Sequence, residues 1–353
     1  MNVHAHFVAQ LHGARPIADP AASDALVDVE DMTVTFRSRE RVVHAVNGVS
    51  FSLRRGEVLG ILGESGSGKS VTLRALMRLL PDHAQVGGKV VVAGHDVARL
   101  DESRLEDVRG RAISMIFQEP MTALDPVFTI GEQIAETVRR HEGCDRRTAE
   151  ARALDLLDMV QIPSAKRRLK AYPHEMSGGM RQRAMIALAL SCRPSVLLAD
   201  EPTTALDVTV QIQVLLLLRK LQKELGMAVI FVTHDVGAAI EVSDRLAVMY
   251  AGRFVETGTA IDMIETPRHP YTNGLLDSML SGDKRGQRLE TIPGAPPSLS
   301  QASSGCSFAP RCRFAATSCT LALPEPTAFS PTHTARCFRM DTKAERFAML
   351  ADA

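Results

Sequence analysis

The sequence predicts an α/β fold: a sheet core carrying an antiparallel β subdomain, a helical subdomain and a small cysteine-containing C-terminal extension. Three observations predict it. The apolar run EVLGI (57–61) enters the glycine-rich segment ILGESGSGKS (61–70), and SVTLRALMRLL (70–80) continues with apolar residues at near-helical spacing. Further apolar runs end in polar residues, with Gln118, the pair Asp200 and Glu201, and His234 at their ends. Between residues 129 and 172 the text turns helical and charged.

Composition bounds what such a fold does. With 353 residues, 45% hydrophobic and 23% charged, the chain can bury a sizeable core in one large domain with an appendage, or in two domains. Its 41 basic and 41 acidic residues leave no net charge, so a nucleic-acid partner held by bulk electrostatics is not suggested. No apolar run reaches the roughly 18 residues of a membrane span. The first residues, MNVHAHFVAQLHGARP, lack the basic start and continuous apolar centre of a signal peptide. The expectation is a cytoplasmic chain whose membrane contact runs through a partner.

Residues 1–24 are read as a flexible tail, rich in Ala, His and Pro without sustained periodicity. VDVEDMTVTF and VVHAVNGVSFSL then alternate at period two and read as antiparallel strands. Phe36, placed in the link between them, is either core or a face on which an adenine stacks.

The segment 61–70 fits G-x-x-x-x-G-K-[ST] through Gly63, Gly68, Lys69 and Ser70. Glycines let successive N–H groups turn toward an anion, Lys69 brings a charge to the outer phosphates, and Ser70 suits magnesium. A helix N-terminus behind the loop attracts the same anion. A nucleoside triphosphate is the expected ligand.

GGKVVVAGHDV (87–97) reads as another strand, and RAISMIFQEP (111–120) as a strand ending in Gln118, a neutral group able to contact magnesium or its water and let go again. TIGEQIAETVRRH and RRTAEARALDLLDMV form a helical insert broken at Gly-Cys-Asp. In HEMSGGMRQRAMIALALS, Ser177 caps a helix whose Gly178 and Gly179 leave N–H groups unhindered at the positive end of the dipole; this is a second anion site or a plain capped helix. SVLLADEP ends a buried strand in Asp200, suited to magnesium or its water, and Glu201, suited to a general base. TTALD, with Asp207, opens a long amphipathic helix, and MAVIFVTHD puts His234 at a strand end on the rim where open α/β sheets bind ligands.

GESGSGKS, IFQEP, MSGGM, LLADEP, TALD and VTHD, in this order, resemble the nucleotide-binding subunit of an ABC transporter over about residues 26–258. The resemblance implies a P-loop NTPase core and the following roles. Gly63, Glu64, Ser65, Gly66, Ser67, Gly68, Lys69 and Ser70 match the Walker A loop, with Val71 next to it; Gln118 matches the Q-loop; Ser177, Gly178, Gly179 and Met180 match the signature; Asp200 and Glu201 match Walker B; Asp207 matches the D-loop and His234 the switch histidine. It gives catalytic roles to Lys69, Gln118, Glu201 and His234, magnesium to Ser70, Gln118 and Asp200, and the adenine to Phe36. Met180 departs from the usual glutamine, with little loss expected because the anion contacts come from Ser177 and backbone.

RHPYTNGLLDSML, IPGAPPSL and GCSFAPRC further resemble the C-terminal region of oligopeptide/dipeptide importer ATPases, a subfamily that also covers nickel, glutathione and some oligosaccharide importers. The implied partners are two membrane permease subunits, a second ATPase subunit (a paralogue) meeting this one head to tail, and an external binding protein; the implied place is the cytoplasmic face of the cell membrane. The implied division is a nucleotide-binding domain at 25–267 with its insert at about 120–180, a C-terminal region at 268–340 and a tail at 341–353. A soluble ABC ATPase acting on DNA or ribosomes is the rival of another class; it lacks support, since neither coiled-coil inserts nor tandem cassettes are visible.

Cys306, Cys312, Cys319 and Cys337 crowd the C-terminal region with five, six and seventeen residues between neighbours. Disulfides are disfavoured in a cytoplasmic chain, and the spacing lacks the tight pairs of most zinc sites. Four thiolates can hold an iron–sulfur cluster, zinc, or nothing. The subfamily resemblance implies a [4Fe–4S] cluster.

Overall fold

The computed structural model describes residues 25–39, 41–278, 291–300 and 304–339. The expected tails at 1–24 and 341–353 lie outside these. Strands β1 (Ala25–Arg37) and β2 (Val42–Arg54) form an antiparallel hairpin closed by the Ser38 N–H donating to Arg41 O at 2.9 Å. The chain continues through β3 (Val58–Leu62), the glycine-rich segment and the helix Lys69–Leu76. It then returns to the hairpin with β4 (Ala84–Val92) and β5 (His95–Asp96), giving an antiparallel sheet of order β2-β1-β4-β5. Phe36 lies within β1, opposite Val43 and Ala84, and not in a link between strands; the alternation continues through it to Arg37.

The second sheet takes in β6 (Ile113–Ile116), β7 (Val196–Asp200), β8 (Ala228–Thr233), β9 (Arg245–Tyr250), β10 (Arg253–Thr259), β11 (Thr327–Ala328) and β12 (Thr334–Ala335), in the order β11-β12-β10-β9-β3-β8-β7-β6. The stretch from β9 to β6 is parallel and the other end antiparallel. Parallel strands are covered on both faces, which is why β3, β7 and β8 read as unbroken apolar runs and are buried along their whole length. Side-chain alternation splits β7 and β8 between two cores, and β3 reaches a third through Leu62. Val196 and Leu198 pack with the antiparallel sheet, while Leu197 and Ala199 pack on the other face with helices.

That second face joins the helical insert to the sheet. The helix Ile130–Glu142 starts at a reciprocal cap between Thr129 and Glu132 and stops at Gly143, whose φ of 67° suits glycine. The helix Arg146–Met159 is capped by Asp145. Their apolar stripes, including Val138, Ala153 and Leu156, share one core with Met185 of the helix Gly178–Ala189 and with Leu197. The insert therefore has no core of its own.

A third core gathers Tyr250, Tyr271 and Phe308, whose rings meet at centroid distances of 4.6–5.4 Å. Beside it the Glu256 carboxylate is fully buried and accepts from Arg268 N–H, His269 N–H and His333 Nε2, tying β10 to both flanks of the C-terminal region. Burial of a carboxylate is costly unless its lone pairs are satisfied, and here three donors do so.

Candidate active site

The glycine-rich segment leaves β3, a central strand between β8 and β9. Gly68 has φ of 108°, and a Cβ there would stand 2.4 Å from Ala45 O, so only glycine lets the loop close onto β2. The loop is held from below by the Gly252 N–H donating to Ser67 O at 2.8 Å. Lys69 is 4% exposed and its ammonium donates to Gly63 O at 2.7 Å and Glu64 O at 2.9 Å. Burial lowers its pKa, with Glu201, Asp200 and Glu64 pulling the other way. The ammonium caps the loop's own carbonyls and is close enough to the loop to be redirected to a phosphate bound there.

Ser70 Oγ donates to Asp200 Oδ1 at 2.7 Å. Asp200 is buried, and that burial raises its pKa against the opposing hydrogen bond from Ser70. A buried carboxylate beside a hydroxyl is a hard oxygen donor set fitted to Mg²⁺.

At Glu201 the backbone turns to φ of 45°, an unfavourable conformation for a side-chain-bearing residue, while its N–H still donates to Val232 O at 2.9 Å. The turn presents the carboxylate to three partners. Gln118 Nε2 donates at 3.2 Å, Thr204 Oγ1 donates at 2.9 Å, and His234 Nδ1 lies at 3.2 Å, all on Oε2. Lys69, Ser70, Gln118, Asp200, Glu201 and His234, drawn from four segments of sequence, thus converge on one rim of the sheet.

Ser177, Gly178, Gly179 and Asp207 form a separate group. Ser177 Oγ accepts from Met180 N–H and caps the helix Gly178–Ala189; Asp207 caps the helix Val208–Leu225 through Val210 N–H at 3.0 Å. A Cβ on Gly179 would meet Val210 Cγ1 at 2.6 Å, so the two caps face each other closely. Among the described residues no hydrogen bond joins Ser177 to the first group. Phe36 is half-buried, its ring 5.8 Å from that of His83.

Relatives align along nearly the whole chain. A putative peptide import ATP-binding protein of Brucella abortus is 50% identical over 329 residues, covering 89% of this chain and 97% of that protein. The oligopeptide transport ATP-binding protein OppD of Haemophilus influenzae is 48% identical, covering 91% and 98%. The chain belongs to the ATP-binding proteins of the ABC transporters.

Residues 46–204 of this ABC ATPase match the family described as ABC transporter, and residues 255–319 match that described as oligopeptide/dipeptide transporter, C-terminal region. A solved dimeric ATP-binding cassette in a post-hydrolysis state, bound to ADP and Pi, is 30% identical with a TM-score of 0.60, covering 66% of this chain and 98% of that one. A cassette from Clostridium perfringens, part of an ABC transporter complex, is 26% identical with a TM-score of 0.58, covering 69% and 93%. No helix among the described residues is long and apolar enough to cross a membrane.

Two further features of the ABC ATPase lie outside the hydrolytic motifs. Thr204, three residues past Glu201, is a ligand of the Glu201 carboxylate; the Thr-Thr after Asp-Glu-Pro was its only local sign. Cys306, Cys312, Cys319 and Cys337 line one small cavity with Phe308, Phe314 and Phe338. Burial pushes the Cys337 thiol up to about 11, with charge on the other three adding to the push. Among the described residues no group of three or more His, Cys, Asp or Glu is arranged to hold a metal ion.

Proposed function

We propose that the protein is the ATP-hydrolysing subunit of an importer that takes up dipeptides or oligopeptides through two membrane permease subunits, from its place on the cytoplasmic face of the membrane. The observation that carries the hydrolytic part is the convergence on Glu201 of Gln118, Thr204 and His234 beside the Ser70–Asp200 pair. The peptide cargo rests on the names of relatives 47–50% identical to this chain. Nickel, glutathione and oligosaccharides are cargoes the same machinery can serve.

In this reading Gly63–Ser70 N–H groups, with Val71 behind them, cradle the phosphates and Phe36 faces the base. Lys69 turns from its carbonyl partners to the outer phosphates. Ser70, Asp200 and Gln118 hold Mg²⁺, which when bound neutralises phosphate charge. Glu201 orients the attacking water and takes its proton, while Gln118, Thr204 and His234 fix the carboxylate; water oxygen bonds to the γ-phosphorus as the β–γ bridge bond breaks, and His234 steadies the departing phosphate. The second group, Ser177, Gly178, Gly179 and Asp207, serves a nucleotide held by a second ATPase subunit, a paralogue packed head to tail, because it makes no described contact with this chain's own phosphate loop. The dimeric state of the post-hydrolysis cassette supports that arrangement. Residues 25–267 act as the nucleotide-binding domain, the insert at about 120–180 grips the permease, and 268–340 form the importer-type C-terminal region.

We further read the four-cysteine cavity as the seat of a structural [4Fe–4S] cluster. The support is chemical: four free thiols line a single apolar cavity, and a polynuclear cluster, unlike a single ion, needs its ligands spread around it.

The test of the hydrolytic reading is Glu201→Gln in the assembled transporter. Turnover falls by about 100-fold or more while ATP-dependent pairing of the ATPase subunits persists. Hydrolysis at the parental rate removes the assignment.

A further inference from the structure

The phosphate loop is gripped from outside by the C-terminal region, through Glu64. The Glu64 N–H donates to Tyr271 Oη at 2.9 Å, and its carboxylate takes both terminal nitrogens of Arg311, at 2.7 and 3.0 Å. That is the forked geometry in which an arginine binds a carboxylate most strongly. Arg311 is itself fixed: its side chain is 6% exposed, Nε donates to Pro293 O at 2.8 Å, and one terminal nitrogen also donates to Tyr250 Oη at 3.3 Å. Tyr250 and Tyr271 pack edge to face in the third core, so neither hydroxyl can swing away.

Glu64 also touches the catalytic lysine, because its carbonyl accepts from Lys69 Nζ at 2.9 Å. Its charge acts on that ammonium as well. A carboxylate at this point is a liability: unpaired, it would repel an incoming triphosphate and compete for Lys69. Arg311 neutralises it, and Tyr271 holds the backbone from which it springs.

We propose that Arg311 and Tyr271 are positioning residues for the nucleotide: from the C-terminal region they set the start of the phosphate loop and cancel the Glu64 charge, so that Lys69 is free for phosphate. The inference rests on the reading of residues 63–70 as the ATP phosphate site.

The experiment uses the full-length chain and equilibrium binding of fluorescent methylanthraniloyl-ATP, displaced by ATP. Arg311→Ala is expected to weaken binding about tenfold and Tyr271→Phe about threefold. Arg311→Lys restores only part, since a lysine cannot make the fork. In a Glu64→Gln background Arg311→Ala costs less than about twofold, because there is no charge left to neutralise. In the assembled transporter the KM for ATP rises while kcat stays within about twofold. Parental affinity in both Arg311→Ala and Tyr271→Phe, whatever their melting temperatures, overturns the inference, as does an undiminished loss in the Glu64→Gln background. Should Arg311→Ala fail to fold, Tyr271→Phe and Arg311→Lys decide by the same measurement. Lys69→Ala separates the two readings: if it binds ATP normally the phosphate-loop reading fails, whereas its loss beside unaffected Arg311 and Tyr271 variants sinks only the positioning role.

Discussion

Glu201 shows how one residue collects a site. It stands at a strand end with φ of 45°, and its single oxygen Oε2 meets an amide, a hydroxyl and an imidazole. Lys69 is the complementary case, a buried ammonium resting on two carbonyls until an anion arrives. Lys69→Ala is expected to weaken ATP binding by roughly 10- to 100-fold, the worth of a charged hydrogen bond, as read by equilibrium titration. His269 gives a prediction in pH. It is 1% exposed, its ring accepts from Tyr271 N–H, and burial lowers its pKa from 6.5 to about 4. The unfolded chain therefore binds the extra proton first; stability that is full above pH 6.5 is lost as pH falls toward 4, by about 3 kcal/mol. His269→Asn keeps an acceptor for the Tyr271 N–H and removes the titration, so its melting temperature should fall less across that window. At this scale the sequence was informative where chemistry sits in a local pattern, as at Gly63–Ser70 and Asp200–Glu201. It was silent on the role of Arg311, whose partner Glu64 is 247 positions away with no pattern linking the two.

Elements follow from periodicity, and most were legible. The strand before the phosphate loop, the long helix Val208–Leu225 and the two insert helices carry the apolar spacing that their burial later explains. A hairpin turn of a few residues gives no strong signal, so Phe36 reads as link from sequence although β1 runs on to Arg37. Periodicity also names faces without naming what they meet. The apolar stripe of Arg146–Met159 proves continuous with the sheet through Met185 and Leu197. Leu156 is 0% exposed in that shared core. Leu156→Ala should cost about 2–5 kcal/mol and lower the urea midpoint of one cooperative transition, with no separate melting of the insert. Two resolved transitions would contradict a shared core.

For the whole molecule, neighbour relations were the hidden quantity. The order β9-β3-β8-β7-β6 puts the phosphate loop between two parallel neighbours, β9 and β8, but a run of residues does not say which runs lie beside it. Two-residue strands β11 and β12 are too short for any alternation to register. The cysteines were visible as a group, and the fold brings all four to one cavity. Protein purified without oxygen is expected to be brown with bound iron, and Cys312→Ser to lose that absorbance; a colourless, iron-free preparation would remove the cluster. The buried Glu256 carboxylate, met from two sides by the region that follows it, has a consequence for biosynthesis. A ribosome that stops after residue 267 releases a chain with every hydrolytic residue in place but an interior anion stripped of all three of its donors. Such a product should be cleared by proteases before it meets a membrane, so a premature stop there behaves as a null allele and not as a shortened, working motor.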